Sequence, residues 1–357
     1  MLRFDLQTER LSAPVKASGN VRPGTVLCLI GPTGAGKTTL LHMLSGRESA
    51  SGALTLDLPD RAGGPDDLLR RSPHERRLAY VPQSPLALWP GHTVRQGVHL
   101  AERRRGSRRS DSSPFPTPPP PHAQTALPSA RPSLVTDLLA AFRLAPLAQR
   151  RTSHLSGGEL QRLVLCQALA SGPRGLLLDE PLSQQDPAER PDLADLLKAW
   201  IRSLRIPAVW ATHHVAEAQR AADEIAILEQ GTIRWRGSPE TLLESPPTVG
   251  LARLVGYTAF LPTESGEVVA VHPDRAMLGA DPPDASGRWI RVSGTARTIR
   301  PWGGRFELSV QPDHGPLFDV ALPAHARTPA EGERVTVYLS DTPRYTKDTL
   351  TETEGMT

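Results

Sequence analysis

Residues 31–38 carry the residue types needed to hold a polyphosphate. The segment is Gly-Pro-Thr-Gly-Ala-Gly-Lys-Thr and matches the pattern G-x-x-x-x-G-K-[ST] at every fixed position. Glycines let successive backbone N–H groups turn toward phosphate oxygens, Lys37 adds a positive charge, and the Thr38 hydroxyl suits Mg²⁺. The segment therefore predicts a site for a nucleoside triphosphate. The predicted contact residues are Gly31, Pro32, Thr33, Gly34, Ala35, Gly36, Lys37, Thr38 and Thr39.

The residues on either side of this loop predict the elements that position it. Residues 26–30 form a short apolar run, and residues 39–44 open an apolar helical run. A strand, a glycine-rich loop and a helix in this order are the context that the phosphate-binding motif requires. That context disfavours the alternative, a glycine-rich turn that contains a lysine by chance.

Two later segments also place polar residues at the ends of predicted elements. Ser156 precedes two glycines and an apolar run, which predicts a helix capped by Ser156, with open N–H groups that favour an anion. Residues 174–178, Arg-Gly-Leu-Leu-Leu, are predicted to form an apolar strand that ends in Asp179 and Glu180. A buried parallel strand has this composition, and ligand chemistry lies at the carboxyl end of such strands.

In this order, the three segments resemble the motifs of the ATP-binding cassette (ABC) family. Residues 155–159, Leu-Ser-Gly-Gly-Glu, resemble its signature motif, and Asp179 resembles its Walker B aspartate. The resemblance implies a P-loop α/β fold and a homodimer with two shared ATP sites. In each site the signature of one subunit closes over the γ-phosphate held by the other. The signature residues are Ser156, Gly157, Gly158 and Glu159.

The same resemblance assigns roles to residues between and after these motifs. It implies that Glu180 polarises the attacking water, that Gln83 contacts metal and water, and that His213 contacts the γ-phosphate. Asp186 matches an aspartate that crosses the dimer interface, in the segment called the D-loop. The implied catalytic residues are Glu180, His213 and Gln83, and the implied Mg²⁺ ligands are Thr38, Gln83 and Asp179.

Three features of the sequence depart from the family pattern. His214 stands where the family usually has Asp, and we interpret it as a bystander, because no Cys or carboxylate lies at metal-ligand spacing nearby. Gln184 and Gln185 replace the usual small and apolar residues of the D-loop. The aromatic residue that normally stacks on adenine is also missing from its usual place, so Val15 or Leu11 is expected to cover the base.

Composition narrows the class of protein. The chain has 357 residues, room for two domains, and its 41 basic and 38 acidic residues give a net charge of only +3, so we expect no direct nucleic-acid binding. Cys28 and Cys166 lie in apolar runs and are predicted to be reduced core thiols. No stretch approaches the roughly 18–20 apolar residues that span a bilayer.

The composition and the periodicity of the sequence predict its domains. We predict a nucleotide-binding domain over residues 1–250, with a helical subdomain at about 84–155 that carries an Arg- and Pro-rich disordered insert at 103–133. Short alternating strands predict a small all-β barrel over residues 257–345, followed by a tail at 346–357. This barrel resembles the OB-like (TOBE) domain of importer ATPases. The Arg cluster of the insert either attracts anionic lipid or belongs to a solvated linker, which we favour.

The resemblance implies an energy-coupling ATPase of an importer at the cytoplasmic face of the inner membrane. Its expected partners are a second copy of the chain, two membrane permease subunits and a solute-binding protein, and its expected ligands are ATP and Mg²⁺. Molybdate- or sulfate-type importers are the most similar, while iron, polyamine and sugar importers stay open. The alternatives are a soluble ABC ATPase that acts on nucleic acid or ribosomes, and a regulatory, solute-sensing module. A single phosphate loop and the lack of heptad repeats speak against the first of these.

Overall fold

The computed structural model describes residues 1–8, 14–58, 64–84, 91–106, 134–263, 267–279, 281, 289–340 and 342–346. It divides the chain into two compact units, residues Met1–Pro239 and Glu240–Thr357. This division lies earlier than the predicted boundary at 250–257. The reason is that the segment after Glu240 packs within the second unit, where the Tyr257 hydroxyl donates to the carbonyl of Leu243 (2.8 Å) and the Tyr345 hydroxyl to that of Pro246 (2.7 Å).

The described part of the first unit contains a ten-stranded sheet. Its strands are β1 (Leu2–Gln7), β2 (Lys16–Val21), β3 (Val26–Ile30), β4 (Ser51–Leu56), β5 (Asp66–Asp67), β6 (Leu78–Val81), β7 (Gly175–Asp179), β8 (Ala208–Ala211), β9 (Glu224–Glu229) and β10 (Thr232–Gly237). They lie in the order β5-β4-β1-β2-β10-β9-β3-β8-β7-β6. The pairs along β9-β3-β8-β7-β6 are parallel, whereas β1 pairs with β2 and β4 in antiparallel register. Strands β3 and β7 are buried along their whole length, as expected for the centre of a parallel sheet.

Helices follow the strands of this sheet and also form a separate cluster. The helices of the first unit are α1 (Lys37–Ser45), α2 (Pro73–Arg76), α3 (Val94–Gly106), α4 (Leu134–Ala141), α5 (Gly157–Ala170), α6 (Arg190–Leu204) and α7 (Val215–Ala221). Helices α3 and α4 contact each other and α5, which places a helical subdomain where the sequence predicts one. Cys28 and Cys166 are buried and unpaired, as predicted, and burial raises the pKa of both thiols.

The predicted start of the disordered insert was wrong. Helix α3 continues through Gly106, so residues 103–106 are helical. Ala101, Glu102 and Arg103 are good helix formers, and the first proline comes only at Pro114, so nothing stops the helix at residue 103. The rest of the predicted insert, residues 107–133, lies outside the described residues.

The second unit contains two short helices and the predicted β-rich barrel. Its elements are α8 (Pro239–Glu244), α9 (Val249–Leu254), β11 (Ala259–Pro262), β12 (Glu267–Val271), β13 (Ala276–Leu278), β14 (Trp289–Trp302), β15 (Arg305–Pro312), β16 (Phe318–Pro323), β17 (Arg334–Ser340) and β18 (Arg344–Thr346). An antiparallel sheet runs β13-β17-β14-β15-β16, and its edge strands β13 and β16 contact each other, so it nearly closes. Alternate residues such as Leu308, Val310, Val320 and Val337 fill its interior. The predicted OB-like barrel is confirmed in its architecture.

Candidate active site

Four adjacent parallel strands bring the predicted site residues to one edge of the sheet. The phosphate-binding loop follows β3, Asp179 ends β7, His213 follows β8, and Gln83 follows β6. Strands β3, β8, β7 and β6 are neighbours in this order. Because parallel strands end at the same edge, residues far apart in the chain become neighbours there.

The loop after β3 has the backbone geometry that its glycines allow. Gly34 and Gly36 lie in the left-handed region with φ of 82° and 100°, and a Cβ on Gly36 would lie 2.7 Å from a methyl of Val15. The Lys37 ammonium group donates to the carbonyls of Gly31 (2.7 Å) and Pro32 (2.9 Å). Burial lowers the pKa of Lys37, and the nearby carboxylates of Glu180 and Asp179 oppose that shift. The lysine is thus held across the loop, where a phosphate chain would lie.

Asp179 faces Thr38 through one oxygen and Tyr80 through the other. The Thr38 hydroxyl donates to Asp179 Oδ1 (3.2 Å), and the Tyr80 hydroxyl donates to Oδ2 (3.0 Å). Asp179 is only 3% exposed, so these contacts replace most of its water. Burial and the adjacent carboxylate raise the pKa of Tyr80, so the phenol keeps the proton that it donates.

The donor set around Asp179 fits Mg²⁺. One hydroxyl and one carboxylate oxygen converge beside the phosphate-binding loop, and Mg²⁺ prefers a few such oxygens completed by phosphates and water. The described residues contain no group of three or more His, Cys, Asp or Glu that could hold a metal ion by themselves. The Thr38 hydroxyl and the Asp179 carboxylate would supply two of the ligands of Mg²⁺ and leave the other positions to phosphate oxygens and water.

Glu180 joins the other two predicted catalytic residues. Its Oε2 accepts from the Gln83 side-chain amide (2.8 Å), and its Oε1 lies 2.8 Å from His213 Nδ1. The residue adopts a left-handed backbone conformation, φ 45°, and its peptide N–H donates to the carbonyl of Ala211 on β8 (2.9 Å). This unusual backbone turns the carboxylate away from the end of β7 and toward the ends of β6 and β8.

The signature segment opens helix α5 as predicted. The Ser156 hydroxyl accepts from the backbone N–H of Glu159 (3.3 Å), and the Glu159 carboxylate accepts from that of Ser156 (2.8 Å). This reciprocal pair is a capping box. Among the described residues, no hydrogen bond joins residues 156–159 to the phosphate-binding loop.

The D-loop is hydrogen-bonded to the signature helix through Gln185, one of the departures from the family pattern, and through Gln161 and Arg162, which the sequence analysis did not single out. Gln185 is buried, donates to the carbonyl of Gly158 (2.9 Å) and to Gln161 Oε1 (3.1 Å), and accepts from Arg162 (2.7 Å). Gln161 also donates to the carbonyl of Glu180 (3.2 Å). Their amides supply the donor and acceptor pairs that a buried loop backbone needs. Asp186, the predicted D-loop aspartate, is exposed and accepts from the N–H of Ala188 (2.9 Å).

His214, which the sequence analysis interprets as a bystander, is hydrogen-bonded to an arginine that contacts the D-loop. Its Nε2 accepts from Arg190 (3.1 Å), which also donates to the D-loop carbonyls of Ser183 (3.2 Å) and Gln185 (3.1 Å). Burial, the adjacent His213 and Arg190 lower the pKa of His214, which agrees with a neutral acceptor. The histidine pair and the D-loop are therefore connected through one arginine.

Val15, which is predicted to cover the nucleotide base, is buried, and so is Phe4, the single aromatic residue that precedes the phosphate-binding loop in the sequence. Phe4 is 3% exposed within the core of the first unit, and Val15 is fully buried against Gly36. Leu11, the other predicted candidate, lies outside the described residues. Neither Phe4 nor Val15 offers a ring or a broad exposed surface to a base.

Comparisons with known proteins agree with this geometry. Residues 15–183 match the model of the ABC transporter family. The chain is 33% identical over 309 residues to the spermidine/putrescine import ATP-binding protein of Ruegeria pomeroyi, covering 85% of this chain and 74% of the relative. It is 32% identical over 343 residues to the sulfate/thiosulfate import ATP-binding protein of Xanthomonas campestris pv. campestris, covering 88% and 90%.

Similarity to solved structures supports the fold alone. One is an ATP-binding cassette of an ABC transporter in its ADP conformation, with a TM-score of 0.54 and 19% identity, covering 71% of this chain and 97% of the other. Another is the ATP-binding subunit of an ABC transporter, with a TM-score of 0.51 and 23% identity, covering 68% and 91%.

Proposed function

This chain belongs to the ABC transporter family, and from that premise we propose that it is the ATP-hydrolysing, energy-coupling subunit of an import system. The observation that carries the proposal is the position of Glu180, hydrogen-bonded to Gln83 and near His213, beside Lys37 and Asp179. These are the groups that hydrolysis of a nucleoside triphosphate needs at one place.

The side chains divide the chemistry between them. The loop backbone and Lys37 hold the phosphates, and Thr38 and Asp179 are proposed to hold Mg²⁺, which when bound neutralises charge on the phosphate oxygens. Glu180 is proposed to orient the attacking water, because each of its oxygens has a second lone pair beyond the contact to Gln83 or His213. Gln83 follows β6 and is a further proposed metal ligand, so a bound nucleotide would change the contacts of its side chain.

The proposed working form is a head-to-tail homodimer. Residues 156–159 open a helix whose N–H groups favour an anion, yet they make no hydrogen bond to the phosphate-binding loop of the same chain in the described residues. A second copy placed across the site would supply that missing half. Asp186 and its neighbours would then lie at the dimer interface.

The proposed partners are two permease subunits and a solute-binding protein, and the proposed location is the cytoplasmic face of the inner membrane. The relatives named above are import proteins for polyamines and for sulfate or thiosulfate. In the described part of the chain no helix is both long and apolar enough to cross a bilayer. We therefore propose that separate membrane subunits form the pathway for a small solute, with an oxyanion such as sulfate or molybdate among the candidates.

Purification of the tagged full chain from solubilised membranes of its source organism tests this proposal. We expect a polytopic permease to co-purify and the complex to hydrolyse ATP in the presence of Mg²⁺. The Lys37→Ala variant is expected to retain the permease and lose hydrolysis. Recovery of nucleic acid or ribosomes, with no membrane protein, would contradict the importer proposal.

A further inference from the structure

Tyr80 contacts the proposed metal-binding carboxylate from the side opposite Thr38. It lies on β6, three residues before Gln83, and its hydroxyl donates to Asp179 Oδ2 at 3.0 Å. The other oxygen, Oδ1, accepts from the Thr38 hydroxyl at 3.2 Å. Asp179 therefore has one oxygen directed to the nucleotide side and one engaged within the protein.

Tyr80 is itself held in place by two side chains from the α1 region. His42 Nε2 lies 3.0 Å from the Tyr80 hydroxyl, and its ring meets the tyrosine ring edge-on, with centroids 5.2 Å apart. Because the single phenolic proton goes to Asp179, the hydroxyl accepts from His42, which fixes the proton on Nε2. The Arg47 guanidinium lies 4.5 Å from the centre of the Tyr80 ring.

This arrangement restrains rotation of the carboxylate. A terminal carboxylate torsion has a broad, soft minimum, so the direction of its oxygens is set by hydrogen bonds. A bond from a neutral donor to a charged acceptor is among the stronger ones in proteins, and Asp179 is almost completely buried. Loss of that bond would leave Oδ2 unpaired and Oδ1 free to turn away from Thr38.

We propose that Tyr80 is a positioning residue for Asp179, which through the Asp179–Tyr80–His42 chain keeps Oδ1 aimed at the place where Mg²⁺ binds with the nucleotide. The proposal rests on the proposed function, because that function makes Asp179 a metal ligand. Tyr80 has no role in contacting the phosphates or the attacking water.

The test removes the hydroxyl and keeps the ring. In full-length Tyr80→Phe the ring can still pack beneath Arg47, while the bond to Asp179 is lost. We would titrate Mn²⁺ into protein saturated with ADP and follow the free ion by electron paramagnetic resonance. The expected result is an apparent Mn²⁺ dissociation constant about tenfold higher than in the wild type, the scale of one charge-assisted hydrogen bond. Binding of ADP in EDTA is expected to stay within about twofold of the wild-type value.

A matched control separates positioning from a general loss of stability. Tyr257→Phe removes the same atom from a hydroxyl that donates to a backbone carbonyl in the second unit, and we expect no change in Mn²⁺ affinity. His42→Ala leaves the Tyr80 hydroxyl and removes its donor, so we expect a smaller shift in the same direction. This variant also provides the test if Tyr80→Phe does not fold.

Three outcomes would overturn the proposal. They are an unchanged Mn²⁺ affinity in folded Tyr80→Phe, an unchanged affinity in His42→Ala when Tyr80→Phe does not fold, and an equal shift in Tyr257→Phe. Failure of the proposed function would give a different result. Wild-type protein would then bind Mn²⁺·ADP but associate with no permease, and the Mn²⁺ affinities of the variants would still test the role of Tyr80.

Discussion

At the residue scale, the site depends on a few side chains whose hydrogen bonds leave little freedom. Glu180 is placed between Gln83 and His213 by a left-handed backbone, and Asp179 between Thr38 and Tyr80 by burial at the end of β7. Adjacent carboxylates thus face different partners. These different environments agree with the proposed roles, in which Asp179 holds a metal and Glu180 orients water, although the two are neighbours in the chain.

Replacing Glu180 with Gln tests its proposed role in hydrolysis. The amide keeps the size of the side chain but cannot act as a base, so we expect ATP turnover to fall by about 10²-fold or more, with ATP binding retained. An ATP-bound dimer should accumulate on size-exclusion chromatography. The exposed Glu331→Gln provides the control, and turnover within a few-fold of wild type would remove Glu180 from this role.

Glu217 predicts a pH-dependent stability. Its buried carboxylate accepts from Trp210 Nε1 at 2.6 Å, and burial raises its pKa above the ordinary value of 4.5. A raised pKa in the folded state means that the folded state binds the proton more tightly than the unfolded state. The stability that this proton contributes is therefore present at acid pH and is lost as pH rises. Glu217→Gln keeps an acceptor without the charge. We expect the difference in melting temperature, variant minus wild type, to increase by about 2–4 °C from about pH 5 to about pH 8. A pH-independent difference would contradict this prediction.

At the element scale, the D-loop and the start of α5 form one connected piece. Gln185 donates to Gly158 and Gln161, and Arg190 joins the carbonyl of Gln185 to His214. Two of the residues that depart from the family pattern, Gln185 and His214, are thus linked through Arg190. A change at His214 would therefore reach the D-loop through the hydrogen bonds of Arg190.

The head-to-tail site predicts complementation between two inactive variants. Gly157→Asp is suitable, because its new Cβ would meet only the flexible Gln184 side chain, whereas a Cβ on Gly158 would lie 2.9 Å from the backbone oxygen of Gln184. The new carboxylate should repel the γ-phosphate across the dimer. Mixing Gly157→Asp with Lys37→Ala should restore one intact site per heterodimer. If the two sites act independently, each heterodimer has about half of the wild-type ATPase activity, and a one-to-one mixture with random pairing has about a quarter. No gain over either variant alone, with heterodimers present, would remove support for the shared site.

At the scale of the whole molecule, the chain divides into two units with separate cores. The first contains the sheet edge with every proposed catalytic group, and the second contains the nearly closed barrel. Residues 107–133 fall between α3 and α4, which contact each other and α5. This segment therefore interrupts the helical subdomain rather than the sheet.

Replacing residues 107–133 with a short Gly-Ser linker should leave folding and ATPase activity within about twofold of wild type. The segment is rich in proline and poor in apolar residues, so its sequence offers little to a core. Circular dichroism and ATPase assays measure these two properties. The variant removes Arg108 and Arg109 but keeps Arg103, Arg104 and Arg105 in α3. If this Arg cluster binds lipid, the variant should therefore show weaker salt-sensitive binding to vesicles with anionic lipid. Loss of folding would show that the segment belongs to the core.

The sequence by itself determined the local pieces of this protein. The glycine-lysine loop, the Ser156 cap, the apolar strand before Asp179 and the alternating strands of the barrel depend on near neighbours in the chain, whose spacing is visible in the sequence. The end of α3 was missed because helix propensity continued past the predicted boundary.

Only the tertiary structure decided which side chains meet. Tyr80 and Asp179 are 99 positions apart, and Glu180 and Gln83 are 97 apart, so no local pattern relates them. Their contact follows from the order β3-β8-β7-β6, which brings separate strand ends to one edge. His214 shows the same limit, because its Arg190 partner lies on another helix. Local sequence sets the elements, whereas long-range sheet pairing sets the hydrogen bonds of the site.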